Sequence, residues 1–127
     1  MVIERIPSGI PGLDNVIEEG FEKDSAILLS GSGGTGKTIF ALQFLMQGIN
    51  AGQTGIYISF EENKNKFYRH MLPFGWNLEE LEKKGLFVFI KYDPEKIAAI
   101  VKNGGKDIAK SITDLNAKRI VIDSLSA

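Results

Sequence analysis

A chain of 127 residues holds material for one domain and not two. With 15 basic against 16 acidic side chains and 43% hydrophobic residues it reads as globular, without the basic surplus of a non-specific nucleic-acid binder. Zero Cys excludes a disulfide scaffold, a thiol nucleophile and a zinc knuckle, and a single His excludes a multi-histidine metal centre within one chain.

In chain order, Met1 to Pro7 carry Glu4 and Arg5 and lack the apolar core of a leader peptide. No later apolar run approaches the roughly eighteen residues that span a bilayer. The expectation is a cytoplasmic protein with no membrane partner. Ala26 to Ser30 is a short apolar run and reads as a strand buried on both faces. A helix from Lys37 to Asn50 follows, with Gln43, Gln47 and Asn50 on one narrow polar stripe, so most of it should be buried. Ile56 to Phe60 is a second strand. Asn63 suits an N-cap for a helix reaching about Leu72 and stopped by Pro73. Asn77, with Glu80 three residues later, opens a short helix that ends at Gly85. Leu86 to Ile90 is a third strand. Pro94 suits a helix start, Asn103-Gly104-Gly105 interrupts that helix, and Ile108, Ile112 and Leu115 form one stripe of the next. Ile120 to Ile122 is a fourth strand, ending in Asp123. Alternating strands and helices predict a parallel α/β sheet.

Gly31-Ser-Gly-Gly-Thr-Gly-Lys-Thr38 fits the phosphate-loop pattern, between a predicted strand and a predicted helix. A triphosphate is a dense anion, so the loop must offer backbone N–H groups at close range. Gly33, Gly34 and Gly36 permit positive φ and bring no Cβ into the way. The helix start adds unpaired N–H groups and a partial positive charge. The nucleotide-binding set is therefore Gly31, Ser32, Gly33, Gly34, Thr35, Gly36, Lys37, Thr38 and Ile39. Lys37 should reach the β- and γ-phosphates of ATP, and the Thr38 hydroxyl should ligate Mg²⁺. A Gly-rich turn with a solvated lysine is the competing explanation, and the strand-loop-helix context argues against it.

Hydrolysis also needs a further magnesium partner and a group that positions water. Asp123, at the end of an apolar strand, fits the first need; an N-cap for whatever follows is its alternative role. Glu61-Glu62 closes the second strand. Strand alternation puts Tyr57, Ser59 and Glu61 on one face and Ile58, Phe60 and Glu62 on the other. Glu61 is then the base that activates water, while an acidic preference at a helix start would explain the pair without chemistry.

Taken together, these segments resemble the KaiC-like branch of the RecA superfamily of ATPases. The resemblance is carried by Arg5-Ile-Pro-Ser-Gly-Ile-Pro-Gly-Leu-Asp14, by Gly31 to Thr38 and by Tyr57-Ile-Ser-Phe-Glu-Glu62. It continues through Phe74-Gly-Trp76 to Arg119-Ile-Val-Ile-Asp-Ser-Leu-Ser126. Glu18-Glu19-Gly20 departs from it, standing where the family usually carries a Gly-rich turn. The resemblance implies a three-layer α-β-α P-loop fold, Mg-ATP binding with slow hydrolysis, and a homo-oligomeric ring or filament with nucleotide between subunits. It makes Lys37 and Thr38 the Walker A pair, with Lys37 also serving the chemistry. Glu61 becomes the catalytic acid, Glu62 its companion and Asp123 the Walker B acid.

RecA-type domains continue past Walker B. The implied strand order is Leu86–Ile90, Ile56–Phe60, Arg119–Asp123, an absent strand, then Ala26–Ser30. Residues 1–127 are therefore expected to be the N-terminal part of a single larger domain. Three functions stay open: a KaiC-like ATPase in regulation or signalling, a nucleotide switch without useful turnover, and a RecA/RadA-type DNA repair ATPase. Nucleic acid is a partner the fragment neither supports nor excludes. Phe74 and Trp76 are either an adenine-stacking pair or packing residues, with packing preferred. His70, Lys64, Lys66 and Arg69 read as a solvated helix face.

Overall fold

Two prolines and three glycines between Pro7 and Gly20 keep that stretch from building a long helix or strand. In the computed structural model, which describes residues 4–23, 27, 36–60, 62–93, 95, 99, 102, 104, 106, 110, 113–114 and 117–123, it is a chain of turns. Two short strands tie its ends. β1 (Arg5–Ile6) pairs antiparallel with β2 (Phe21–Glu22), Arg5 opposite Glu22 and Ile6 opposite Phe21. Between them the Ser8 amide, in a fully buried residue, donates to Asp14 Oδ1 at 3.1 Å, and Ser8 Oγ accepts from the Ile10 amide at 3.1 Å. These bonds give Ser8 and Asp14 a structural role in the turns. Gly9 holds φ +81°, and a Cβ there would lie 2.6 Å from the Gln43 carbonyl oxygen.

That carbonyl belongs to α1 (Gly36–Asn50). Leu42 and Leu45 are fully buried and Ile49 is nearly so. Only Gly36 and Asn50, its two ends, are exposed, as the narrow polar stripe predicts. Phe44 meets Phe21 edge-on at 5.8 Å. The expectation of a doubly buried strand over 26–30 is not met at Ile27, its one described residue, which is 51% exposed. A strand is buried on both faces where layers pack above and below its sheet, and no described strand pairs with Ile27 to make it part of one.

The chain divides into two units, Met1–Gln47 and Gly48–Ala127. The second is built on a parallel sheet ordered β4-β3-β5, from β3 (Gly55–Ser59), β4 (Phe87–Lys91) and β5 (Arg119–Asp123). This is the order that the resemblance implies for these three strands, and the α/β class is confirmed. Every residue of the central β3 is buried. Its register, Gly55 beside Phe87 and Arg119, sorts the side chains into two faces. Ile56, Ile58 and Phe60 join Ala117, Val88, Ile90, Tyr92 and Ile120 in one cluster. On the other face α2 (Lys64–Met71) lays Phe67 against Tyr57 at 4.5 Å and against Phe89 at 5.2 Å.

The helix signals hold. Asn63 Oδ1 accepts from the Lys66 amide at 2.9 Å, and Pro73 lies in the 3₁₀ turn Leu72–Phe74 that follows α2. Asn77 Oδ1 accepts from the Glu80 amide at the start of α3 (Leu78–Lys83), and Gly85 sits at φ +75° beyond its end. The third strand begins one residue later than expected. The Leu86 amide donates to the Leu81 carbonyl at 3.0 Å, closing the helix, while its own carbonyl accepts from the Gly55 amide of β3 at 2.9 Å. Beyond Tyr92, the described residues Ala99, Lys102, Lys106, Lys110, Thr113 and Asp114 are helical, and Gly104 turns the chain at φ +70°. Ile108, Ile112 and Leu115 lie outside the described residues. Among the described residues no helix is long and apolar enough to cross a membrane.

Candidate functional site

Parallel strands aim their C-terminal ends at one edge, where α/β proteins hold ligands. At that edge Ser59 of β3 stands in register beside Asp123 of β5 and Lys91 of β4. The Phe60 amide donates to the Asp123 carbonyl at 3.0 Å and the Tyr92 amide to the Ser59 carbonyl at 2.9 Å, which fixes the three strand ends together. Asp123 is partly exposed, and the Tyr57 hydroxyl donates to its Oδ2. Ser59 Oγ accepts from the Glu62 amide at 3.1 Å, so the turn after β3 is pinned to the strand it leaves.

That turn corrects one expectation. Strand alternation ends at Ser59 and does not carry Glu62 onto the Ile58 face. Glu62 instead meets α2, the helix covering the Tyr57 face: His70 Nδ1 lies 2.7 Å from its Oε1, a close contact without hydrogen-bond alignment. His70 is thus partnered, although exposed. Lys64, Lys66 and Arg69 are exposed, as expected, and Lys64 pairs with Glu82 at 2.8 Å. Glu61 lies outside the described residues, as do Gly31, Ser32, Gly33, Gly34, Thr35, Ser124 and Ser126.

In the first unit, Gly36 opens α1, Lys37 and Thr38 occupy its first turn, and Ile39 follows, partly buried. No acidic side chain stands in that turn to compete for an anion, and the space beside the Gly36 Cα is open. A helix start with one lysine, one hydroxyl and no carboxylate fits a phosphate chain. Among the described residues no three His, Cys, Asp or Glu side chains gather as a metal cage. Thr38 in the first unit and Asp123 in the second each carry an oxygen of the kind magnesium takes as a ligand, alongside waters and substrate phosphates.

A cleft of about 550 Å³ between α2 and α3 offers a different chemistry. Lys64, Arg69, Glu79 and Glu82 line it with both signs of charge, and none of the predicted binding residues does. Tyr68, also on its wall, is buried; that burial, with the carboxylates of Glu82 and Glu79, holds its phenol well above the ordinary 10.0. Phe74 and Trp76 contact each other at 5.9 Å, with Phe74 47% exposed.

Sequence reasoning singled out Asp123 and Glu62 but passed over the Tyr57, Ser59 and His70 groups that contact them. Alternation puts Tyr57 and Ser59 on one face, and only the register of β3 with β5 puts Asp123 on that same face. Comparison with known proteins gives a consistent result. A family model described as a KaiC ATPase matches residues 6–127. The chain is 35% identical over 136 residues to the UPF0273 protein PH0284 of Pyrococcus horikoshii, covering 96% of this chain and 55% of that protein. It is 35% identical over 132 residues to the circadian clock protein KaiC3 of Synechocystis, covering 98% of this chain and 26% of the relative. The crystal structure of the KaiC-like protein PH0186 of Pyrococcus horikoshii superposes with a TM-score of 0.82 at 38% identity, over 96% of this chain and 54% of that one. The chain thus spans about half the length of the UPF0273 relative and of the solved structure.

Proposed function

From the premise that the chain belongs to the KaiC family of RecA-like ATPases, we propose that it binds ATP with magnesium and, in its parent protein, hydrolyses it slowly in a regulatory or signalling role. The observation that carries this reading is the first turn of α1, which holds Lys37 and Thr38 and contains no acidic residue of its own. Residues 31–38 wrap the phosphates with backbone N–H groups, and Lys37 neutralises the β- and γ-oxygens. Magnesium, when bound, supplies charge neutralisation on those oxygens. Thr38 and Asp123 hold its shell, Glu61 accepts a proton from the attacking water, and Glu62 is its companion.

The reading extends to organisation. Residues 1–127 form one ATPase domain that continues on its C-terminal side, and the parent assembles as a homo-oligomeric ring or filament. The length ratio to the relatives supports the first part. It also favours a second reading for this chain alone, as a nucleotide-binding module without turnover.

Titration calorimetry with Mg-ATP, paired with phosphate release, tests the proposal. The chain should bind, Lys37→Ala should lose at least about tenfold in affinity through its missing phosphate contact, and Glu61→Gln should bind normally without turnover. Equal binding by the chain and Lys37→Ala would remove residues 31–38 from the site. Binding without phosphate release, in the unmutated chain, selects the second reading.

A further inference from the structure

A tyrosine in the middle of a buried strand is usually core, and phenylalanine would fill the same space. Tyr57 does more than fill space. It is 1% exposed, and its ring lies 4.5 Å from Phe67 and 5.8 Å from Phe89, stacked within 8° on the latter. Two aromatic neighbours leave the ring one orientation. Its register partner on β5 is Val121, two residues before Asp123, and side chains two apart share a face. A phenol held there reaches along the sheet to the next side chain on β5, and its hydroxyl donates to Asp123 Oδ2.

We infer that Tyr57 is a positioning residue for Asp123, holding one carboxylate oxygen so that the other is presented to the magnesium shell. The inference rests on the reading of Asp123 as the magnesium acid. A carboxylate at a strand end otherwise rotates about its own side-chain bonds and offers either oxygen. Ionised, it only accepts, so one fixed donor selects which oxygen remains free. The donor is itself immobile, as a preorganised site requires. Ser59, between Tyr57 and the turn, ties the same edge to Glu62.

The test follows a fluorescent ADP analogue on the 127-residue chain as magnesium is added, in the unmutated chain, Tyr57→Phe, Asp123→Asn, the double variant and Phe67→Leu. Asp123→Asn should raise the half-saturating magnesium concentration about tenfold, and Tyr57→Phe about three- to tenfold, with no further rise in the double variant because the two act in series. In EDTA, Tyr57→Phe should bind the analogue as the unmutated chain does. Phe67→Leu, which loosens the ring but keeps the hydroxyl, should lower the melting temperature and raise the magnesium midpoint by less than Tyr57→Phe does. Without any ligand, the ¹³C signal of the Tyr57 ring carbon bearing oxygen, assigned by its loss in Tyr57→Phe, should move in Asp123→Asn.

A shift in Asp123→Asn with none in Tyr57→Phe overturns the inference and leaves the magnesium reading standing. No shift in either removes Asp123 from the magnesium site, and the inference falls with it. Additive effects in the double variant, or a Tyr57→Phe chain that does not fold, assign the hydroxyl to another role and overturn the inference too.

Discussion

Glu18 and Glu19 hold φ of 56° and 74°, a left-handed conformation that costs an L-residue about 1–2 kcal/mol. Gly20 after them is at φ +140°, and a Cβ there would lie 2.3 Å from the Ile6 carbonyl oxygen, so glycine is required at that position. The family resemblance implies a Gly-rich turn at this place; here two glutamates accept its geometry. Glu18 has a partial compensation in its 2.8 Å ion pair with Arg5, although an exposed pair contributes little. Glu19 makes no such pair among the described contacts, and its amide already bonds the Asp14 carbonyl at 2.7 Å in the turn. Glycine at 19 removes the left-handed penalty but adds about 0.4–1 kcal/mol of chain entropy to the unfolded state. The balance favours Glu19→Gly by roughly 0.5–1 kcal/mol. Urea unfolding should show a higher midpoint with an unchanged slope; a lower midpoint would mean the turn tolerates its glutamates without strain.

At the scale of elements, α2 shows how a short helix is held. Its eight residues are too few for a stable isolated helix. Phe67, Tyr68 and Met71 bury one face, and Asn63 caps the start. Asn63→Ala should therefore cost about 1 kcal/mol in denaturant unfolding, while Asn63→Asp, which keeps the acceptor, should cost little. If the alanine variant unfolds at the original midpoint, the cap bond contributes nothing. This cap was legible in the sequence, as were Asn77, Pro73 and Gly85, because each signal is local. What escaped was what pairs at a distance or over too short a length. Two-residue strands such as β1 and β2 have no period to read. Leu86 looks like strand and serves the helix before it. The bond from Tyr57 to Asp123 joins positions 66 apart, and only the register of β3 with β5 reveals it. Glu62 escaped because alternation was extended past the last strand residue. The sheet order, for its part, came from the family resemblance and not from the spacing of apolar residues.

For the molecule as a whole, the phosphate-loop motif was legible at once, whereas its consequence for stability follows only from linkage. A ligand that binds the folded chain alone stabilises it by RT ln(1 + [L]/Kd), about 2.7 kcal/mol at a hundredfold excess over Kd. A 127-residue chain unfolds with an entropy near 0.27 kcal/mol per kelvin, so that increment raises the melting temperature by on the order of 10 °C. Mg-ATP should produce this rise in a calorimetric scan. EDTA should shrink it if, as proposed, the nucleotide is bound together with magnesium. Magnesium chloride without nucleotide should have little effect, because the described residues gather no metal cage of their own. Lys37→Ala, its affinity down by at least about tenfold, should keep no more than about half of that rise. A rise of equal size in the Lys37→Ala variant would place the nucleotide away from α1, and no rise in the unmutated chain would show that these 127 residues do not by themselves hold it.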